Sequence, residues 1–451
     1  IITFVDMKII LLSGGSGKRL WPLSNHTRSK QFLRLLNSPE GGTESMVQRV
    51  VRQIREEGIS DSVTIATSAS QQEIITGQLG ADANIVTEPE RRDTFPAIAL
   101  ACTYLAKEKL CNDNEAVIVM PCDSYTDANY FKTIAKMATA VENNVADLVL
   151  MGIKPKYPST KFGYIVPVRE NADKSFLYVK GFTEKPDEEH AKSLIADGAL
   201  WNGGVFAFRL GYMTDIVKRY LDVHSFEELH SRYGELPKIS FDYEVVEKAE
   251  SIAVIPFNGQ WKDLGTWNSL TEELTHYIGN VTAGKNVHNT HVINELNIPL
   301  LCFDIDNLII AANYDGILVC GKESCEHIKD YVNELPSRPM YGECSWGTYK
   351  VVDFSTFAGG YQSLTQLLQL KAGFDICYRG HQYRDISWTC IDGSGTLVLD
   401  GQVRNIQRGD IIHIGKGHRY AVKAVSNLQI IEVQTGDRLT DNDVEYFDWN
   451  W

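Results

Sequence analysis

Residues Lys8–Phe32 read KIILLSGGSGKRLWPLSNHTRSKQF. A short apolar run ends in Gly14-Gly15-Ser16-Gly17, and Lys18 and Arg19 follow at once, with a second basic pair, Arg28 and Lys30, close behind. A strand that runs into such a turn can wrap backbone N–H groups around phosphate oxygens. The G-x-x-x-x-G-K-[ST] spacing of a Walker A loop is absent. So is the third glycine of G-x-G-x-x-G, which would fall at Leu20. Read alone, the glycines equally make a tight turn and the four cations a solvated basic face.

Working outward, apolar runs alternate with amphipathic stretches from Lys8 to about Trp267. KIILLS, SVTIAT, AVIVMPCD and DLVLMGI read as buried strands, while ESMVQRVVRQIREE and TFPAIALACTYLAKEKL have helical spacing. The alternation predicts an α/β domain with a mostly parallel, Rossmann-like sheet, and ligands at the carboxyl ends of its strands. After about Glu273 short strands separated by Asn, Asp and Gly predict a small β connector, and from Tyr341 onward nearly everything reads as β. The expected division is 7–275 for the α/β domain, 276–338 for a β-helix-like connector, and 339–451 for a compact barrel or jelly roll.

Composition narrows the function classes. The chain has 451 residues, a formal net charge of −14, and 43% hydrophobic residues. No run approaches the ~18–20 apolar residues that span a bilayer, and the acidic balance disfavours nonspecific nucleic-acid binding. Nine cysteines without C-x-x-C pairs predict reduced thiols and a cytoplasmic setting. The six residues before Met7 resemble neither a basic n-region nor a cleavage site and stay outside the fold reasoning. An acidic protein that binds an anion must gather its positive charge locally.

GGSGKRLWPLS with SKQF resembles the signature of sugar-1-phosphate nucleotidylyltransferases, specifically the mannose-1-phosphate guanylyltransferase family. The resemblance continues in order over about 260 residues. EPERRDTFPAIALA (Glu88–Ala101) is similar to E-P-x-x-R-N-T-A-P-A-I-A-L-A, departing at Asp93 and Phe95. MPCDS, KFGYI, GFTEKPD, LWNGGVFAF, ISFDYEVVEKA and WKDLGTW follow. Cys122 and Ser124 replace the usual Ala and His around Asp123, and Gly203 stands where Ser is common.

The resemblance implies attack of a sugar 1-phosphate on the α-phosphorus of a nucleoside triphosphate, GTP above others, with release of pyrophosphate. It assigns catalysis to Arg19, Lys30, Asp123 and Asp263, the two aspartates as Mg²⁺ ligands. It places the nucleotide against Leu12, Ser13, Gly14, Gly15, Gly17, Lys18, Glu88 and Arg92. The sugar phosphate, mannose 1-phosphate by resemblance, falls to Gly163, Glu184, Lys185 and Asn202. A manno-heptose 1-phosphate, another nucleotide, a catalytically decayed nucleotide-sugar-binding scaffold and a homodimer all stay open at this point.

The tail resembles a second family. SWGTYK, RGHQYRDISWTCIDGSGTLVLDG and IIHIGKGHRYAV are similar to the cupin-type mannose-6-phosphate isomerase domain that follows the guanylyltransferase in bifunctional relatives. That family's zinc ligands are a Gln or His, a His, a Glu and a distal His. Aligned on Arg384 and Trp388, His381 and His418 match histidines, but Arg379 takes the Gln position, Tyr383 that of a second His, and Ile386 that of the Glu. The expectation is a cupin-like barrel whose metal site, and with it isomerase activity, is lost.

Overall fold

The computed structural model describes residues 7–15, 18–168, 175–335, 338–440 and 442–451. They fall into two compact units. One comprises the chain up to Ser16 with Ser29–Gln72 and Asp82–Leu274; the other comprises Gly17–Arg28, Glu73–Ala81 and Thr275–Trp451.

The first unit is built on a nine-stranded sheet, and its α/β character is that read from the alternation of runs. Across it the strands run Asn84–Glu88, Val63–Ser68, Lys8–Ser13, Ala116–Pro121, Leu200–Arg209, Leu148–Ile153, Ile252–Phe257, Leu177–Thr183 and Tyr164–Pro167. The first four are mutually parallel. Leu200–Arg209 enters antiparallel between Ala116–Pro121 and Leu148–Ile153, so the far half is mixed. Leu12 lies opposite Pro121 and Ser13 opposite Thr67. The central strands therefore end together, and Gly14 and Cys122 both leave the sheet at that edge.

Helices cover the sheet because their apolar residues recur at helical spacing. Met46–Glu56 buries Met46, Val47, Val50, Val51 and Ile54, and Ser45 and Gln48 close its N-terminus as a reciprocal capping box. Thr94–Lys107 is apolar on most of its circumference, and Phe95, Ile98, Leu100 and Leu105 sink into the main core with Val117, Val119, Leu150 and Phe208 of the strands.

The second unit holds two β structures. Between Tyr277 and Asn313, parallel ladders pair Val281 with Leu300, Val287 with Ile305, and Val292 with Ile310. These ladders are offset by 18 or 19 residues, and that of Tyr277 with Val292 by 15, as in a short parallel β-helix. Asn286, Asn289, Asp304 and Asn307 turn its corners with positive φ, and they bond in pairs, Asn286 to Asp304 and Asn289 to Asn307. From Tyr341 on, a six-stranded and a five-stranded antiparallel sheet enclose Trp388, Ile386, Leu397, Tyr420, Val422 and Ile430. Leu428–Gly436 alternates buried and half-buried residues along its length, the period of a strand with one face in a core.

Candidate active site

The first unit's site starts where its central strands end. Asp123 follows the strand Ala116–Pro121, and the next residues, Ser124–Thr126, pair antiparallel with Trp261–Asp263 so that Asp263 lies opposite Ser124. That short ladder brings two aspartates from 140 residues apart in sequence to one point. Lys30 Nζ lies 2.8 Å from Asp123 Oδ2 and 2.8 Å from Asp263 Oδ1. Burial alone would lower the Lys30 pKa, but the two carboxylates outweigh it and hold the ammonium above its usual range. A Cβ on Gly265 would come within 2.8 Å of both Lys30 Nζ and Asp263 Oδ1, so glycine in DLGTW keeps room for this pairing. Burial pushes the Cys122 thiol beside Asp123 up to about 12, which keeps it neutral.

The SKQ of the signature braces the glycine turn. Ser29 Oγ donates to the Gly15 carbonyl at 3.0 Å, Gln71 Nε2 donates to Ser29 Oγ at 2.7 Å, and Gln31 Nε2 donates to Ser13 Oγ at 3.1 Å. Gly14 and Gly15 are exposed, and a Cβ on either would meet nothing within 4 Å. Their backbone is open to a ligand. Leu12 and Ser13 offer less, because the Leu12 carbonyl accepts from Cys122 N–H and the Ser13 carbonyl from Thr67 Oγ1. Gly17 lies outside the described residues.

The other basic residues of the signature have different partners. Arg28, half of the second basic pair, is turned to carboxylates of the protein. Its guanidinium makes a two-pronged pair with Glu295 at 2.8 and 3.0 Å, approaches Glu343 at 3.3 Å, and is only 6% exposed. Lys18 donates to Asn333 Oδ1 at 2.9 Å. Arg19 is exposed, and its charge adds to burial in lowering the Lys329 pKa.

Gly163, Glu184, Lys185 and Asn202 converge as a second cluster in the first unit. The Gly163 carbonyl accepts from Asn202 N–H at 2.8 Å, and Lys185 Nζ donates to Glu184 Oε1 at 2.5 Å. A Cβ on Gly163 would collide with Glu184 Oε2. Lys185 adopts φ of +47°, a strained left-handed conformation for a side-chain-bearing residue. Asp242 completes the cluster, although its motif, ISFDYEVVEKA, gave it no role in the sequence reading. It accepts from Asn202 Nδ2 at 2.7 Å, and burial, then the Glu184 charge, lifts its pKa to about 6. The signal that could have found it is a carboxylate inside a motif that already matched.

Glu88 and Arg92 both bond to protein. Glu88 is buried and accepts from the Tyr233 hydroxyl at 2.7 Å, while Arg92 donates to the Leu236 carbonyl at 2.9 Å and to Glu90 at 2.8 Å. The same loop pins the chain next to Asp242, since Thr94 Oγ1 accepts from Phe241 N–H at 2.8 Å. EPERRDT thus helps to support the second cluster through Glu88, Arg92 and Thr94.

The sequence profile described as nucleotidyl transferase matches residues 8–279, more than half of the chain. The chain belongs to the nucleotidyl transferase family. A second profile, mannose-6-phosphate isomerase C-terminal, matches residues 339–449. The chain is 28% identical to the alginate biosynthesis protein AlgA of Pseudomonas aeruginosa over 97% of its own length and 95% of the relative's. It is 26% identical to mannose-1-phosphate guanylyltransferase 2 of Escherichia coli O157:H7 over 96% of each. A crystal structure from Thermus thermophilus, described as a mannose-1-phosphate geranyltransferase, is similar with a TM-score of 0.60 at 27% identity, covering 73% of this chain and 99% of that one. These findings bear out the resemblance to the mannose-1-phosphate guanylyltransferase family with its C-terminal cupin. Among the described residues no helix is long and apolar enough to cross a membrane.

The two metal questions have different answers. Asp123 and Asp263 present hard oxygen donors around one cation already, so with phosphate oxygens from a nucleotide they fit Mg²⁺. The barrel's residues do not fit zinc. His381 Nδ1 donates to the Asp443 carbonyl and its Nε2 meets the Tyr420 hydroxyl at 2.9 Å, which leaves no lone pair for a metal. His418 is exposed and pairs with Asp400 at 2.6 Å, Ile386 is buried, and Arg379 is a cation. Among the described residues no three His, Cys, Asp or Glu side chains form a metal-sized cluster.

Proposed function

We propose that the chain transfers the guanylyl group of GTP to mannose 1-phosphate, giving GDP-mannose and pyrophosphate, in the cytoplasm. Lys30 between Asp123 and Asp263, next to the Ser29 that braces Gly15, is the observation that supports it. A phosphate oxygen of the sugar attacks the α-phosphorus, and the bond to the β-phosphate oxygen breaks. Both reactants are polyanions, so neutralisation and in-line placement supply most of the acceleration. Lys30 sits where it can follow negative charge from the α-phosphate toward the leaving pyrophosphate. Lys185 neutralises the sugar phosphate, and Glu184, Asn202 and Asp242 supply acceptors and a donor for sugar hydroxyls. Mg²⁺ held by Asp123 and Asp263 would polarise the reacting phosphoryl group. The roles of Lys18 and Arg19 rest on the resemblance of the signature turn. Guanine and mannose rest on the relatives' names and on the motif order. The barrel, lacking zinc ligands, performs no isomerisation of mannose 6-phosphate.

Pyrophosphate release with Mg²⁺ across a panel of nucleoside triphosphates and sugar 1-phosphates tests the reading. GTP with mannose 1-phosphate is expected to give the highest kcat/KM. Release with no pair overturns it, and turnover of mannose 6-phosphate would restore the barrel's isomerase role.

A further inference from the structure

An open cavity of about 370 Å³ at the C-terminal barrel has Arg338, Gln366, Arg379, His381, Arg384 and Gln434 in its lining. Their charges are not disposed alike. Arg384 is neutralised by Asp443 at 3.0 Å and also donates to Gln434 at 2.8 Å. His381 is uncharged, since burial pushes its pKa down to about 4 and both ring nitrogens are engaged. Arg379 is different. Among the described residues no carboxylate lies within ion-pair distance of it, and its Nε is shielded from solvent without a hydrogen-bond partner. Its guanidinium lies 5.7 Å from the centre of the Tyr420 ring.

The buried carboxylate that acts on Arg379 from a distance, Glu432, has its oxygens taken by Gln366 at 2.5 Å, Gln434 at 2.6 Å and Trp388 at 2.6 Å. Arg338 likewise pairs with no carboxylate among the described residues; it donates to the Leu439 carbonyl at 2.9 Å and stacks 4.3 Å over Phe354. Glu73 also lines the cavity, and its Oε2 accepts from Ser345 N and Oγ. Arg379 is half-buried and keeps its charge through the Tyr420 hydroxyl and the more distant Glu432, with no carboxylate of its own among the described residues at ion-pair distance, and its planar fork matches a carboxylate or phosphoryl group in two-pronged fashion. Arg379 stands where the resemblance puts a metal-ligating Gln, so a fixed positive charge has replaced the ligand of a bound one.

We infer that this cavity is a metal-free site for a small organic anion whose phosphoryl or carboxylate group is held by Arg379. Arg338 adds a second positive charge on the lining. The inference does not rest on the nucleotidyl-transfer reading, because every residue it uses lies in the C-terminal barrel or beside it in the same unit.

The test is calorimetric titration of the full chain with inorganic phosphate and with malonate, which separate a phosphoryl from a carboxylate ligand. Saturable binding of at least one probe is expected in the parent, and equally in Lys30→Ala, which removes a cation of the first unit. Arg379→Gln is expected to weaken it by about tenfold or more, with the melting temperature and pyrophosphate release of the parent. Arg379→Lys, which keeps the charge and loses the fork, serves should the glutamine variant not fold, and is expected to bind several-fold more weakly. Absence of saturable binding by either probe overturns the inference. So does unchanged binding in both Arg379 variants, or stoichiometric zinc retained by the parent.

Discussion

Replacing Glu295 by alanine strands Arg28. The Arg28 side chain is 6% exposed, Glu295 23% and Glu343 10%, so the group is largely out of water. The substitution removes two charge-assisted hydrogen bonds, at 2.8 and 3.0 Å, and the carboxylate whose attraction contributes most to raising the Arg28 pKa against burial. Breaking a buried pair from one side costs about 3–5 kcal/mol. Glu343 stays 3.3 Å away and the Tyr341 ring 5.2 Å from the guanidinium carbon, and Glu295 is itself partly hydrated. Those residual contacts put the expected loss near the lower end, about 3 kcal/mol. The assay is urea denaturation of the full chain, run as a cycle with Arg28→Met and the double variant. The double variant, with both charges gone, is expected to recover about half of the loss or more, giving a coupling of about 1.5 kcal/mol or greater. A Glu295→Ala loss below about 1 kcal/mol, or strict additivity of the two substitutions, refutes the reasoning.

Gly163→Ala forces Glu184 Oε2 out of its place; about a tenfold rise in KM for the sugar phosphate is expected from one weakened charged contact, and an unchanged KM counts against the cluster. Asp263→Asn is expected to lower kcat at least about 100-fold with an unaltered melting temperature, and chelation of Mg²⁺ to abolish pyrophosphate release by the parent. Asp242, lifted to about 6 by burial and then by Glu184, binds its proton more tightly folded than unfolded. Its contribution is therefore lost as pH rises from about 4 through about 6, and Asp242→Asn should gain about 2–3 kcal/mol over the parent across that window; a flat difference in urea midpoints refutes this. Lys30→Met leaves two carboxylate oxygens no more than twice 2.8 Å apart without their cation. A repulsion of about 3 kcal/mol at a dielectric near 20, cut to about 1 kcal/mol by water around these partly exposed groups, should appear as stability lost relative to the parent at neutral pH and regained in Lys30→Met/Asp263→Asn. Equal urea midpoints of Lys30→Met and the parent would deny the pairing.

Much of this was legible because it lay in local pattern. KIILLS and AVIVMPCD are apolar runs bounded by turn residues, so the strands and their loaded ends could be read before any geometry. Asp263 could be named by motif, yet only the ladder of Ser124–Thr126 with Trp261–Asp263 shows why it meets Asp123. Arg28 and Lys30 are indistinguishable in sequence as basic residues two apart; their fates diverge because Glu295 and Glu343 meet one and Asp123 and Asp263 the other. Such pairings join residues more than 90 positions apart, and nothing in a local window encodes them. Glu88 and Arg92 show the same limit: a charged loop at a strand end reads alike whether or not it also bonds to a neighbouring loop, as theirs does through Tyr233 and Leu236.

The division of the signature's cations follows from how much water each can keep. A guanidinium is weakly hydrated and presents a rigid fork, so it can be sunk to 6% exposure against two glutamates and serve as a fixed anchor. An ammonium is a compact charge on a flexible stem, and Lys30 remains 22% exposed between aspartates that are 28% and 40% exposed. Its partners are therefore exchangeable: when phosphates and a metal ion arrive, the aspartates can take the metal while the ammonium swings to phosphate oxygen with little change in its hydration. An arginine at position 30 would match one carboxylate in fixed geometry and lose that freedom. A Lys30→Arg variant that turned over as fast as the parent would mean that charge alone, and not this mobility, is what the position supplies.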